Sequence, residues 1–284
     1  MFKEDSLKGK TILVTGGGSG LGKEMSRSFL ELGANVAICG RSQDRLDAAV
    51  KELSSAGPVW AQSCDVRDEK SVTELIEGTV KHFGSLHGLV NNAAGNFYSA
   101  SEDLSSNGFQ TVVDIVLLGT FHCTQAAGKY WIENKLPGNV INITTTYTQT
   151  GSAFVLPSAC AKAGVYALTT TLAYEWATYN IRLNAISPGP IPTEGAWKRL
   201  MPGADFEELY KKRLPMGRFG TPDELGNLAS FLMSDLSSYI NGSCITMDGG
   251  EHLQGGEFNF LTQMMDRKSL KGLFSQMKSK QKKG

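Results

Sequence analysis

A doubly wound, parallel α/β sheet in a single domain is the fold the sequence predicts, and three observations predict it. Seven short runs rich in β-branched and apolar residues alternate with helix-length amphipathic stretches. The runs are almost wholly apolar, as ILVT, VAI and GLV are, which strands covered by helices on both faces require. A glycine cluster stands between the first run and the first helical stretch. The alternation is too even, over 284 residues with 41% hydrophobic content, to divide into two cores.

In chain order, strands are predicted over residues 10–15, 35–39, 59–64, 86–91, 140–144, 181–186 and 244–247. The best helix runs over 158–179, through AKAGVYALTTTLAYEWATY. The next clearest runs over 223–233, with Thr221 as its N-cap and Pro222 at its first position. Between them, over 190–215, the pattern loosens into an insertion of the kind that forms substrate lids. After Asp248-Gly249-Gly250 the sheet is finished. The domain is therefore read as 1–250, including the loop 190–215, followed by a basic segment 251–284. That segment has too few apolar residues for a core of its own and is expected to be solvated or disordered.

Lys plus Arg and Asp plus Glu both total 28, so the overall balance calls for neither nucleic acid nor an acidic membrane as partner. Cys39, Cys64, Cys123, Cys160 and Cys244 lack metal-ligand spacing, and each lies in or beside an apolar run. They are read as reduced, buried core thiols in a reducing compartment. His82, His87, His122 and His252 are scattered and receive no catalytic or metal role. The opening MFKEDSLKGK has no apolar stretch after its charges, and no run approaches a membrane span. Lys-Lys-Gly is not a peroxisomal tripeptide and no arginine-rich presequence is evident, so the expected location is cytoplasmic, or mitochondrial matrix for a processed form.

Thr15-Gly16-Gly17-Gly18-Ser19-Gly20-Leu21-Gly22 follows the first strand and opens the first helix. Glycines there let the backbone approach a pyrophosphate, and the helix N-terminus supplies free N–H groups and a positive dipole end. This makes the fold a Rossmann-type nucleotide-binding one. Enzymes that prefer NAD place an acid at the end of the second strand; here that position reads Cys39-Gly40-Arg41. A guanidinium suits the extra phosphate of NADP, which a carboxylate would repel. The alternative is that Arg41 is an exposed turn residue. Asp65, after the third strand, is a candidate acceptor for the adenine amine, or else a cap or turn residue.

TGxxxGxG at 15–22, NNAAG at 91–95, SACAKAG, PGPIPT at 188–193 and the later DGG, in that order, resemble the short-chain dehydrogenase/reductase superfamily over about residues 9–250. The resemblance implies a seven-stranded sheet, assembly as a homotetramer, and a cofactor site. That site would add Ser42, Val66, Asn92, Ala93, Ala94 and Gly95 to the residues above, with Pro188, Gly189, Pro190, Ile191 and Thr193 at the nicotinamide carboxamide.

Ordinary members carry YxxxK, the tyrosine protonating a substrate carbonyl and the lysine lowering its pKa and binding the nicotinamide ribose. This chain has Ser158 in place of the tyrosine and keeps Lys162. Thr145 holds the usual catalytic serine position, and Val116 that of the supporting asparagine. A serine hydroxyl is a far weaker acid than a phenol of pKa about 10, so simple ketone reduction is disfavoured. Tyr147, just past the fifth strand, offers a replacement phenol at the end of the sheet where ligands bind.

Together with AAGNF, TTTYTQTGSAFVLPSACAKAG and PGPIPTEGAWKRL, this is similar to the mitochondrial-type 2,4-dienoyl-CoA reductases. In that family the residues matching Tyr147 and Asn96 hydrogen-bond the thioester oxygen, while those matching Ser158 and Lys162 complete the network and bind cofactor. Arg67, Phe97, Ser105 and Arg199 match positions that contact the acyl-CoA. The implied reaction adds hydride from NADPH at C5 while charge moves to the thioester oxygen. Protonation at C2, as the family implies, gives a 3-enoyl-CoA; protonation at C4 gives a 2-enoyl-CoA. Alternatives are a reductase of 3-ketoacyl-CoA or 2-enoyl-CoA, and a non-catalytic NADP-binding homologue.

Overall fold

The computed structural model describes residues 5–193 and 203–281. Its seven strands are β1 (Thr11–Thr15), β2 (Asn35–Gly40), β3 (Val59–Ser63), β4 (Gly88–Asn91), β5 (Gly138–Ile143), β6 (Ile181–Pro188) and β7 (Cys244–Met247). They form one parallel sheet in the order β3-β2-β1-β4-β5-β6-β7. The order reverses between β1 and β4, and the carboxyl ends of those two strands open the crevice in which such sheets hold ligands.

The helices are α1 (Gly20–Glu31), α2 (Gln43–Leu53), α3 (Glu69–Phe83), α4 (Ser106–Val113), α5 (Gly119–Glu133), α6 (Tyr147–Thr150), α7 (Leu156–Glu175), α8 (Ala204–Arg213), α9 (Pro222–Met233), α10 (Leu261–Met264) and α11 (Arg267–Gln281). Side chains on β1 alternate between two apolar faces. Ile12 and Val14 join Met25, Phe29, Leu225 and Leu232 of α1 and α9 in one core. Leu13 joins Leu75, Cys123, Ala127 and Trp131 of α3 and α5 in the other. Full burial of such a side chain contributes about 1.5–3 kcal/mol.

The predicted strands are all present, with ends displaced for identifiable reasons. Leu86 precedes β4 with its carbonyl taken by the Trp131 indole (2.8 Å), while the His87 backbone bonds to Thr11 and Asn139 at the entrance to the strand. Conversely, β5 starts two residues earlier than predicted, at Gly138, a residue of low strand propensity. A β-carbon there would lie 2.3 Å from the buried Trp131 ring, so packing dictates the glycine. The best helix begins at Leu156 rather than 158 and ends at Glu175, where the tighter turn Ala177–Tyr179 replaces its last predicted residues. On α9, Thr221 and Glu224 form a reciprocal capping box with Pro222 in the first turn.

Two expectations need correction. Cys39, Cys64 and Cys123 are buried, but Cys160 is exposed and Cys244 half-buried. Helix α7 is apolar on most of its circumference, so apolar neighbours did not reveal that Cys160 points outward. The segment after residue 250 is helical through α10 and α11 rather than structureless, although Leu270 is the one buried residue of α11. No helix among the described residues is long and apolar enough to cross a membrane.

Candidate active site

The nucleotide end is assembled by Thr15, the last residue of β1. Its buried hydroxyl accepts the backbone N–H groups of Asn92 and Ala93 (both 3.0 Å), while the Asn92 amide donates to the Thr15 carbonyl (2.9 Å). The glycine loop and the loop after β4 are thereby locked together. Gly22 permits this approach, because a β-carbon there would lie 2.5 Å from Asn92 Nδ2. Ser19 makes no side-chain cap and the first turn of α1 contains no acid, so its N–H groups and positive dipole end remain available to an anion.

A cleft of about 210 Å³ opens beside this loop. Of the predicted cofactor residues, Gly16, Gly18, Ser19, Arg41, Ser42, Asp65, Val66, Ala93 and Ala94 line it. Gly20, Leu21, Gly22, Asn92 and Gly95 stand behind or beside it, with Leu21 packed on the core. Residues 188–193 approach from the other side: a β-carbon built on Gly20 would lie 3.4 Å from Thr193 Oγ1, and Gly189 N–H donates to the Met247 carbonyl (2.9 Å). The cleft also exposes Arg45, one turn beyond Arg41, which the sequence reading did not single out. Neither arginine forms a salt bridge among the described residues. A larger cleft, about 520 Å³, lies between α3 and α5 and carries none of the predicted site residues.

Asp65 is gripped by Arg67 (2.5 Å at the closest pair), whose guanidinium holds the carboxyl below its usual range. The predicted adenine acceptor and the predicted acyl-CoA contact are therefore partners of each other. Beneath them Cys39 is buried and hydrogen-bonded with Cys64, which keeps its thiol protonated.

At the other end, β5 delivers the chain to Thr144, Thr145 and Thr146, and α6 starts at Tyr147. Tyr147 Oη lies 2.9 Å from Ser158 Oγ. Ser158 is buried in the first turn of α7; the N-cap is Val155, so Ser158 does not cap this helix and its hydroxyl is directed to the phenol. One turn on, buried Lys162 donates to the Ile143 carbonyl, and burial lowers its pKa to about 8. Val116 lies in the π-helical turn Asp114–Leu118 and packs with Val112, Ala161 and Val165. Thus Tyr147 and Ser158 are in direct contact, and Lys162 lies one helical turn beyond Ser158 with its ammonium on the Ile143 carbonyl.

Asn96 does not touch it. This residue is exposed on the loop after β4, where its Oδ1 accepts from Phe97 N–H (3.0 Å) and its amide nitrogen has no partner among the described residues. Ser105 caps α4 by accepting from Gly108 N–H (3.1 Å), and the Phe97 ring stands over the same glycine. Arg199 lies outside the described residues. The histidines are engaged elsewhere: His87 Nδ1 accepts from Thr11 N–H (3.0 Å), His122 meets the Val66 carbonyl (3.1 Å), His252 pairs with Asp248 (2.8 Å) and His82 stacks on Trp60.

Two features had no signal in the sequence. Phe154 is exposed and holds φ at +67°, an uncommon backbone for an aromatic residue, while its carbonyl accepts from Ser99 N–H (3.0 Å). It ties the Asn96 loop to the turn before α7. In the insertion, Tyr210 of α8 donates to Glu251 (2.5 Å), and Gln254 donates to the Arg213 carbonyl (2.7 Å). Burial raises the pKa of both Tyr210 and Glu251, so each keeps its proton more firmly.

A cleft beside the glycine loop at the switch of a seven-stranded parallel sheet, with a Tyr147–Ser158 contact past the end of β5, defines a nicotinamide-dependent oxidoreductase, and the chain belongs to the short-chain dehydrogenase/reductase family. The family model described as enoyl-(acyl carrier protein) reductase matches residues 16–252. Among curated relatives, the chain is 46% identical over 246 residues to a probable 2,4-dienoyl-CoA reductase [(2E)-enoyl-CoA-producing] of Bacillus subtilis, covering 86% of this chain and 97% of that one. It is 44% identical over 256 residues to a probable 2,4-dienoyl-CoA reductase 3 [(3E)-enoyl-CoA-producing] of Caenorhabditis elegans, covering 88% and 83%. A crystal structure of a short chain dehydrogenase from Bacillus anthracis superposes with a TM-score of 0.80 at 45% identity, covering 87% of this chain and 98% of that one.

Proposed function

We propose that this chain is an NADPH-dependent reductase of 2,4-dienoyl-CoA thioesters in the β-oxidation of unsaturated fatty acids, yielding 3-enoyl-CoA. The observation that carries the reading is the 2.9 Å contact between Tyr147 and Ser158: the serine stands where ordinary family members keep their acid, and a phenol from α6 reaches it. The names of the relatives agree with this substrate class. NADPH rather than NADH is favoured by Arg41 and Arg45 at the cleft mouth and by the absence of an acid at the end of β2.

A bound reduced nicotinamide supplies hydride to C5 of the dienoyl group. The residues have to stabilise the dienolate that results. Tyr147 O–H and the unpartnered Asn96 amide are the two donors for the thioester oxygen, acting as an oxyanion hole. Ser158 accepts from or donates to the phenol and fixes its rotamer, and the Lys162 cation binds ribose and biases the phenol toward losing its proton. The dienolate shares its charge between the thioester oxygen, C2 and C4; protonation by a solvent proton at C2, the carbon next to the thioester, gives the 3-enoyl product. The names of the relatives divide on this point, and product analysis decides it.

The domain reading of 1–250 with a separate segment 251–284 belongs to the same proposal, as does a homotetramer built through the exposed apolar residues Phe121 of α5 and Tyr174 of α7. The test follows NADPH consumption on a trans,trans-2,4-dienoyl-CoA, with acetoacetyl-CoA and a 2-enoyl-CoA in parallel. Selective turnover of the dienoyl thioester is expected; preference for the ketoacyl thioester would sink the assignment, and cofactor binding without any turnover would favour a non-catalytic homologue.

A further inference from the structure

The equal totals of 28 cationic and 28 anionic residues conceal a separation. Residues 267–284 hold seven cations and no acid, which leaves 21 cations against 28 acids, a net charge of −7, for the remainder. Fifteen of those residues form α11. Leu270, Leu273, Phe274 and Met277 recur on it at i, i+3, i+4 and i+7 and make one apolar stripe. Arg267, Lys271 and Lys278 border one side of the stripe at helical spacing, and Lys280 borders the other. Leu270 is buried and anchors the helix, whereas Leu273, Phe274 and Met277 are exposed, at 37%, 44% and 52% of their surface, so that part of the stripe is not spent on the protein's own core. The approach to α11 continues the pattern with Met264 and Met265, both exposed.

From this arrangement we infer that α11 is a docking surface for an anionic lipid bilayer, lying in the plane of the interface. An apolar stripe between rows of lysine and arginine matches what a headgroup boundary offers: acyl carbon below, anionic phosphate on either side. The helix is too short to span, since fifteen residues rise only about 22 Å. The acidic remainder of the molecule is repelled by such a surface, so attachment runs through this segment alone. A nucleic acid would satisfy the cations but leave the stripe in water. Neither the activity nor the cofactor enters this argument.

The test uses the full chain and flotation with vesicles of phosphatidylcholine alone or mixed with phosphatidylglycerol. Binding is expected only to the anionic vesicles and is expected to weaken at high salt. Lys271→Gln, Lys278→Gln and Lys280→Gln together should lower partitioning about a hundredfold. Leu273→Ser with Phe274→Ser should lower it at least about tenfold with every charge retained. No flotation at low salt overturns the inference. So does binding that ignores the apolar pair, which would mark a patch for polyanions such as nucleic acid. If light scattering shows that the apolar pair instead changes the oligomer mass, the stripe is a contact between copies of this chain, and the inference is again overturned.

Discussion

At its nucleotide end the cleft is built mainly from backbone: the N–H groups of α1, the glycine loop, and the loop that Thr15 pins to it. The proposed reaction end is a set of side chains, one from a four-residue helix, two from α7 and one from an exposed loop. The difference is one of tolerance. A backbone cradle is fixed by the sheet and by where glycine is permitted, so it serves every member of the family alike. The proposed reaction end depends on a few rotamers, and a phenol supplied from α6 instead of the head of α7 would alter the chemistry while the fold stays the same.

Removing the Tyr147 hydroxyl should separate the two ends most sharply. Tyr147→Phe is expected to lower kcat on a dienoyl-CoA by about a hundred- to a thousandfold, as loss of an oxyanion donor does, with NADPH affinity unchanged by titration. An unimpaired variant would remove the phenol from the mechanism.

Lys162 gives the next largest effect. Its pKa falls from about 10.5 in the unfolded chain to about 8 when folded, so the folded state disfavours the cation. Between these values the unfolded state binds more protons, and stability therefore rises with pH, by about 3 kcal/mol over the whole window. Below pH 8 the full penalty is present. Urea titrations across this range should show the rise, and Lys162→Met should flatten it.

Arg41→Ala should cost about 1.5–3 kcal/mol of NADPH affinity and leave NADH binding nearly unchanged, measured by fluorescence titration of both cofactors. Equal losses for the two cofactors would return Arg41 to the role of a turn residue. The smallest effect lies far from both ends: Thr221→Ala removes the capping hydroxyl of α9 and should cost about 1 kcal/mol in chemical denaturation with kcat preserved.

The nucleotide end was legible because its physics is local. A glycine loop between strand and helix, and a missing acid two residues past Cys39, are both written in consecutive residues. Ser158 and Lys162 were legible because they stand four residues apart in the consecutive stretch that resembles the family's YxxxK. The π turn at 114–118, the backbone of Phe154 and the Tyr210–Glu251 contact were not, since each is decided by residues distant in the chain. Strand ends followed the same rule: Gly138 extends β5 because of Trp131, and no propensity scale contains that information. Total charge misled in another way, because averaging over the chain erased the contrast between 267–284 and the rest.

The hydrogen bond from Tyr210 to Glu251 joins α8 of the insertion to the segment that leads into α10 and α11. Two parts of the molecule that share a fastening share an equilibrium. Free energy gained by a substrate that shifted α8 would be felt at residue 251, and a surface that held α11 would exert the same coupling in the opposite direction, because such effects are reciprocal. Tyr210→Phe together with Gln254→Ala would remove these ties, leaving Tyr147, Ser158 and Lys162 untouched and each part free to respond to its own ligand.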